Sequence, residues 1–358
     1  MHVLHVVGAR PNFMKAAPVL SALARRGVRQ TLVHTGQHYD ANMSDVFFEH
    51  LDMPEPDINL DVGSGSHAAQ TAQIMMRLEP VLLREKPDWV FVYGDVNSTV
   101  AAALVCAKLL VRVAHVEAGL RSGDRTMPEE INRLLTDQVA DLLLTPSPDG
   151  DANLMREGIP QERICRVGNV MIDSLVRLLP AAEERWEAQR SRVGLDRFAL
   201  VTLHRPSNVD DPHVLGDGIE ALADIGDSVP VVFPVHPRTR ERLRALGLRE
   251  STARLRLIEP LGYVDFLALQ AHAVLVITDS GGIQEETTYL GIPCLTLREN
   301  TERPITVSMG TNVLIGRDFV RLRTEVRRIM DGQWKCGQRP PLWDGRAAER
   351  IAARLLNG

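Results

Sequence analysis

A chain of 358 residues, 44% hydrophobic and 24% charged, is long enough for two domains and can bury sizeable cores without covalent staples. Its formal net charge of -5 gives no basic surface for nucleic acid, so any phosphate must be held by a few local groups. Cys106, Cys165, Cys294 and Cys336 are scattered without a C-x-x-C pair, arguing against a disulfide framework or zinc knuckle, and no stretch reaches the roughly 18 apolar residues of a membrane span.

The chain opens directly into an apolar run, without a basic leader and cleavable apolar segment, so a cytoplasmic, unprocessed protein is expected. Runs rich in β-branched residues then recur with amphipathic segments between them, the pattern of βα units and a parallel sheet. The first series predicts strands at 3–8, 31–35, 89–94, 113–117, 142–145 and 164–167. The second predicts strands at 199–203, 229–235, 256–258, 274–278, 294–297 and 313–315, with helices over 263–272 and 282–290. Residues 170–195, rich in Ala, Glu and Arg, read as a helix closing one domain and leading into the next. The expectation is an α/β protein of two doubly wound domains, 1–170 and 171–340. An amphipathic helix within 341–358, after the Pro340–Pro341 breaker, is expected to pack back across the junction.

In open α/β sheets ligands bind beyond the carboxyl ends of the strands. Three acids fall at or just beyond such ends: Asp95 in V-Y-G-D (92–95), Glu117 in H-V-E-A-G-L-R (115–121) and Glu129 in P-E-E-I-N-R (128–133). Their convergence suggests proton transfer. Arg121 and Arg133 flank the glutamates, either to meet phosphate or to form an ion-pair network around a buried junction.

Anion-binding signals accompany the acids. In V-V-G-A-R-P-N-F-M-K (6–15), Gly8 turns a strand into a helix with Arg10 and Lys15 near its start, which suits a diphosphate, although no G-x-G-x-x-G run is present. In V-L-V-I-T-D-S-G-G-I-Q-E-E (274–286), Ser280 is placed to cap, Gly281 and Gly282 open the backbone to phosphate, and Glu286, a turn further in, can accept from ribose hydroxyls. His204 ends the first strand of the second domain, and His236 has a similar position before Arg238 and Arg240. Gln37 and His38 follow the second strand as polar loop groups. No helical H-x-x-x-H or H-E-x-x-H pair and no G-x-S-x-G elbow occurs, so neither a metal site nor a covalent hydrolase is expected.

Taken in order, G-A-R-P-x-x-x-K (8–15), T-G-Q-H (35–38), G-D (94–95), H-V-E-A-G-L-R (115–121), P-E-E-I-N-R (128–133), L-H-R (203–205), D-S-G-G-I-Q-E-E (279–286) and T-E-R-P (301–304) resemble the non-hydrolysing UDP-N-acetylglucosamine 2-epimerases over nearly the whole chain. The resemblance implies two Rossmann-like domains facing a cleft, the glycosyltransferase B architecture, in a homodimer without metal or nicotinamide cofactor. It implies interconversion of UDP-N-acetylglucosamine and UDP-N-acetylmannosamine for surface polysaccharide synthesis, through elimination of UDP to 2-acetamidoglucal. Carried over by motif position, Asp95, Glu117 and Glu129 are the acid/base group, with Arg10, His204, Ser280, Gly281 and Gly282 at the diphosphate. Lys15, Arg133 and Arg303 line the charged site, Glu286 meets ribose and Phe266 packs on uracil. Gln37, His38 and His236 match part of a second nucleotide-sugar site, whereas Asp40 and the register of Arg77 differ from it. The strings at 34–44, 203–208 and 236–240 look closer to a branch that includes epimerases of UDP-2,3-diacetamido-2,3-dideoxyglucuronate. A nucleotide-sugar-binding regulator without chemistry is the alternative of another class.

Overall fold

Continuous apolar runs become parallel strands because a parallel sheet is covered on both faces and gains from β-branched residues at successive positions. The computed structural model describes residues 1–37, 51, 53–245, 247, 252 and 254–357, without the side chains of Arg10, Pro237 and Arg238. The chain divides into two compact units, Met1–Arg177 with Pro341–Gly358, and Leu178–Pro340. The division falls inside the helix Val170–Val193.

In the first unit the strands are β1 (His2–Val7), β2 (Arg29–His34), β3 (Ile58–Asn59), β4 (Trp89–Tyr93), β5 (Arg112–Val116), β6 (Leu142–Thr145) and β7 (Ile164–Arg166). All pair in parallel, in the order β3-β2-β1-β4-β5-β6-β7. One layer of its core joins Leu4, Val6, Val90 and Val92 to Leu78, Ala102 and Cys106 of flanking helices. His5, central in β1, is fully buried, yet its ring is satisfied by the Tyr93 hydroxyl at 2.6 Å and Gln30 Oε1 at 3.0 Å. Burial pushes its pKa down to about 3.

The closing helix, Ala347–Asn357, buries Ala348, Ile351, Ala352 and Leu355, spaced as one helical stripe, and packs on the helix Arg10–Ala24. Its start is capped from another helix: Asp173 accepts from the amides of Ala347 at 3.0 Å and Ala348 at 2.7 Å. Trp343, just upstream, is buried and donates to the Pro146 carbonyl at 2.9 Å. This segment therefore completes the first unit.

The second unit holds β8 (Ala199–Thr202), β9 (Val231–Pro234), β10 (Leu255–Ile258), β11 (Leu275–Thr278), β12 (Cys294–Thr296) and β13 (Asn312–Leu314), all parallel, in the order β10-β9-β8-β11-β12-β13. Its strands send alternate residues to two cores: Val201, Phe233 and Ile277 to one, Leu200, Val232 and Val276 to the other. Strand order reverses between β1 and β4 in the first sheet and between β8 and β11 in the second. In doubly wound folds ligands sit at such switch points, between the outgoing loops. Among the described residues no helix is long and apolar enough to cross a membrane.

Candidate active site

Asp95 and Glu117 leave neighbouring strands. Gly94, after β4, has φ +63°, and Glu117, directly after β5, has φ +73°, a left-handed conformation uncommon for a residue with a side chain. The backbone turns sharply there instead of continuing the expected strand. The Glu117 amide donates to the Leu144 carbonyl at 3.0 Å, which anchors the turn to β6. Its carboxylate meets the Lys15 ammonium, and both side chains are almost wholly buried, at 4% and 6% exposure. A Cβ on Gly94 would lie 2.6 Å from Lys15 Nζ, so glycine makes room for this pair. Lys15, expected to line the diphosphate, is thus engaged by Glu117.

Arg133 behaves similarly. Its guanidinium, buried on the helix Pro128–Val139, binds Asp95 and also reaches Glu130 at 2.6 Å. Glu130 is buried and accepts from the amides of Ser122 at 3.0 Å and Gly123 at 2.9 Å. Burial pushes its carboxyl up, but those amides and Arg133 outweigh it and hold it below the ordinary glutamate range. Glu129, one residue earlier, is exposed in the same first helical turn. Arg121 adopts the ion-pair alternative, with Asp137 and Glu157 each 2.7 Å away.

A hollow of about 230 Å³ is lined by Gln37, His67, Asp95, Asn97, Glu129 and Asn132, among others. Two of the three expected acids, Asp95 and Glu129, and the loop residue Gln37 therefore share one cavity. Gln37 is itself tethered, its Oε1 accepting from Ser98 N at 3.0 Å and Ser98 Oγ at 2.7 Å. His38 lies outside the described residues. Sequence reasoning missed the amide groups of this wall: Asn132 donates to the Asp95 carbonyl at 2.8 Å, and Asn97 to Gln70 at 2.8 Å. The signal for Asn132 was its spacing three residues after Glu129, which puts both on one helical face.

In the second unit His204 and Asp279 follow the adjacent strands β8 and β11. Asp279 is fully buried and accepts from the amides of His204 at 3.1 Å and Arg205 at 2.9 Å and from Asn208 at 3.0 Å. Burial would raise its pKa, yet His204 and these donors hold it below the usual carboxylate value. Its Oδ1 is 3.0 Å from His204 Nδ1, so Nδ1 carries a proton toward the carboxylate, while the imidazole remains 58% exposed.

Ser280 occupies the N-cap of the helix Gly281–Leu290, but its side chain makes no capping hydrogen bond. The expected hydroxyl cap is not formed. The Ser280 amide instead closes on Thr278 Oγ1 at 3.0 Å. Gly281 and Gly282 begin a ten-residue helix whose dipole favours an anion. Gly281 also admits Arg303: an added Cβ would meet its Nη1 at 2.5 Å. That guanidinium, expected in the charged lining, is held by Glu285 at 2.8 Å and Glu302 at 2.7 Å, a buried brace. Glu286 is buried and accepts from the Tyr263 hydroxyl at 2.8 Å, a partner the sequence reading missed. Phe266 is half-buried against the core of this unit. His236 is exposed beyond β9, and Arg240 of the next helix pairs with Glu259 at 2.7 Å. Arg10 begins the helix after β1, its side chain being outside the description. Among the described residues no group of three or more His, Cys, Asp or Glu is placed to hold a metal ion.

Two Rossmann-like doubly wound domains with titratable groups at both switch points define a protein of the glycosyltransferase B type. A sequence profile described as UDP-N-acetylglucosamine 2-epimerase matches residues 21–356. The chain belongs to that epimerase family. It is 42% identical to the UDP-N-acetylglucosamine 2-epimerase of Methanocaldococcus jannaschii, over 99% of this chain and 98% of the relative. It is 44% identical to the UDP-2,3-diacetamido-2,3-dideoxy-D-glucuronate 2-epimerase of Pseudomonas aeruginosa, over 99% of each. The crystal structure of the M. jannaschii enzyme in complex with UDP-GlcNAc and UDP superposes with a TM-score of 0.90 at 42% identity, covering 100% of both chains.

Proposed function

We propose that this protein interconverts UDP-N-acetylglucosamine and UDP-N-acetylmannosamine by inverting sugar carbon 2. The observation that carries the reading is the grouping of Asp95 and Glu129 in one hollow, with Glu117 just beyond β5, the strand next to the one that leads into Asp95. The carbon 2 proton lacks carbonyl activation, so a free carbanion is not accessible. Elimination avoids it. A carboxylate takes the carbon 2 proton while the C1–O bond breaks toward UDP, giving the carbon 1–carbon 2 double bond of 2-acetamidoglucal. A second carboxyl group returns a proton to the opposite face as the UDP oxygen adds back to carbon 1. The cycle is redox-neutral and needs no electron carrier.

In this reading Asp95, Glu117 and Glu129 are the acid/base group, each direction using the same groups in reversed roles. His204, with Arg10, Ser280, Gly281 and Gly282, stabilises the departing diphosphate. Lys15, Arg133 and Arg303 hold acids in place around the charged lining. Glu286, with Tyr263, meets ribose, and Phe266 packs on uracil. Gln37, His38 and His236 match only part of a second nucleotide-sugar site, and Asp40 and the register of Arg77 speak against activation through it. The protein acts as a cytoplasmic homodimer supplying a precursor of surface polysaccharide, with sedimentation velocity as the test of its assembly.

Turnover in heavy water tests the chemistry: deuterium at carbon 2 of both sugars is expected, and turnover without label overturns elimination. Asp95→Asn and Glu129→Gln should abolish turnover while UDP still binds; a wild-type protein that binds UDP but never exchanges carbon 2 is a regulator instead. The 44% identity to the P. aeruginosa relative motivates a second substrate, UDP-2,3-diacetamido-2,3-dideoxyglucuronate. Label exchange measured side by side on the two UDP-sugars chooses between them.

A further inference from the structure

We propose that His115 and Asp137 form a buried positioning pair that locks the two strand-end turns bearing Asp95 and Glu117. The proposal rests on the acid/base roles assigned above to those two residues. His115 lies in β5 and is fully buried, as is Asp137 on the helix Pro128–Val139. The ring is bonded at both ends: Nε2 is 2.8 Å from the Gly94 carbonyl, directly before Asp95, and Nδ1 is 2.6 Å from Asp137 Oδ1. The other oxygen of Asp137 accepts from the Gly119 amide at 3.1 Å, two residues after Glu117, and from Arg121 at 2.7 Å. One imidazole and one carboxylate thereby tie down both turns. The turn at Glu117 is the strained one, since its φ of +73° is left-handed in a residue with a side chain, whereas Gly94 and Gly119, at +63° and +82°, adopt such angles freely.

The protonation follows from the partners. A carbonyl oxygen can only accept, so Nε2 carries a proton. Burial pushes Asp137 up, but His115 and Arg121 outweigh it and hold the carboxyl below its ordinary value. Arg121 is the cation of the cluster, shared between Asp137 and Glu157.

Two substitutions separate the ends of the ring. In His115→Asn the amide nitrogen falls near Nδ1, keeping Asp137 and releasing Gly94; in His115→Gln it falls near Nε2, keeping Gly94. The readout is carbon 2 exchange by the full chain. His115→Asn is expected to lower kcat by roughly a hundredfold with KM within about threefold, because misplacing a catalytic group by about 1 Å costs that much, while His115→Gln keeps kcat within about tenfold of wild type. Equal losses in both, or a rise in KM alone, overturn the positioning role. Nitrogen-15 NMR of the wild-type ring provides a readout independent of activity and of variant folding: a proton on Nε2 is expected, and an unprotonated Nε2 overturns the tie to the Gly94 carbonyl. A wild type that exchanges no carbon 2 proton defeats the epimerase reading, whereas exchange with an unprotonated Nε2 defeats only the positioning role of His115.

Discussion

Replacing Lys15 by methionine tests whether its ammonium serves the protein or the substrate. Methionine keeps most of the side-chain length and its apolar contacts but removes the charge beside Glu117, where both side chains are nearly sealed from water, at 6% and 4% exposure. Losing one partner of so buried a pair costs about 3–5 kcal/mol, far above the 0–1 kcal/mol of a surface ion pair. Converting the carboxylate to an amide as well, in Lys15→Met/Glu117→Gln, removes the stranded charge. The double variant should therefore recover about 2–3 kcal/mol relative to the sum of the single effects. Because the chain has two units, the measurement is hydrogen exchange of amides in β1 and β4, which reports the first unit alone. Neither variant, nor Glu117→Gln alone, should turn over substrate. Effects that add within about 0.5 kcal/mol would refute the buried-pair argument. A Lys15→Met protein of undiminished stability but weakened UDP binding would return Lys15 to the diphosphate-lining role suggested by its place in the helix start.

Two further outcomes follow from residues away from the reacting atoms. His5 has a folded pKa of about 3 against 6.5 for the unfolded chain, so its contribution is present above pH 6.5 and is lost as pH falls toward 3. Lowering pH from 7 to 5 should cost the first unit about 2 kcal/mol through this group; hydrogen exchange in β1 at the two pH values should show that loss shrink in His5→Gln, and an unchanged pH slope would remove His5 as its source. Gly119 has φ +82°, and a Cβ there would lie 2.5 Å from the Gly150 carbonyl oxygen. Gly119→Ala should destabilise the first unit by about 2–4 kcal/mol, combining left-handed strain with the backbone clash, and a loss under about 0.5 kcal/mol on chemical unfolding would contradict it.

What the sequence made legible was periodic and local. The apolar runs around Val6, Val92 and Ile277 are unbroken because both faces of a parallel sheet are covered, and that pattern survives without knowledge of partners. The carboxyl ends of those runs then locate Asp95, Glu117, His204 and Ser280 by counting. The strand Ile58–Asn59 has only two residues and leaves no run to detect. Partner choice was the opaque part. A cation at a helix start reads as an anion site, yet the anion that Lys15 meets is Glu117, 102 residues later. Gln37 reads as a loop-borne binding group but is anchored by Ser98, 61 residues away. Arg303 reads as charged lining and is braced by Glu285 and Glu302. Glu129 and Glu130 are indistinguishable as letters; a 100° step around the helix leaves one exposed and buries the other.

The placement of the closing helix sets an order of events on the ribosome. Synthesis of the first unit is interrupted after Arg177 by the whole of the second and resumes only at Pro341. The stripe of Ala348, Ile351, Ala352 and Leu355 therefore reaches its seat on the Arg10–Ala24 helix last, after the later-made unit has all of its strands outside the exit tunnel. The first unit is thus left without its closing helix until the second has been made.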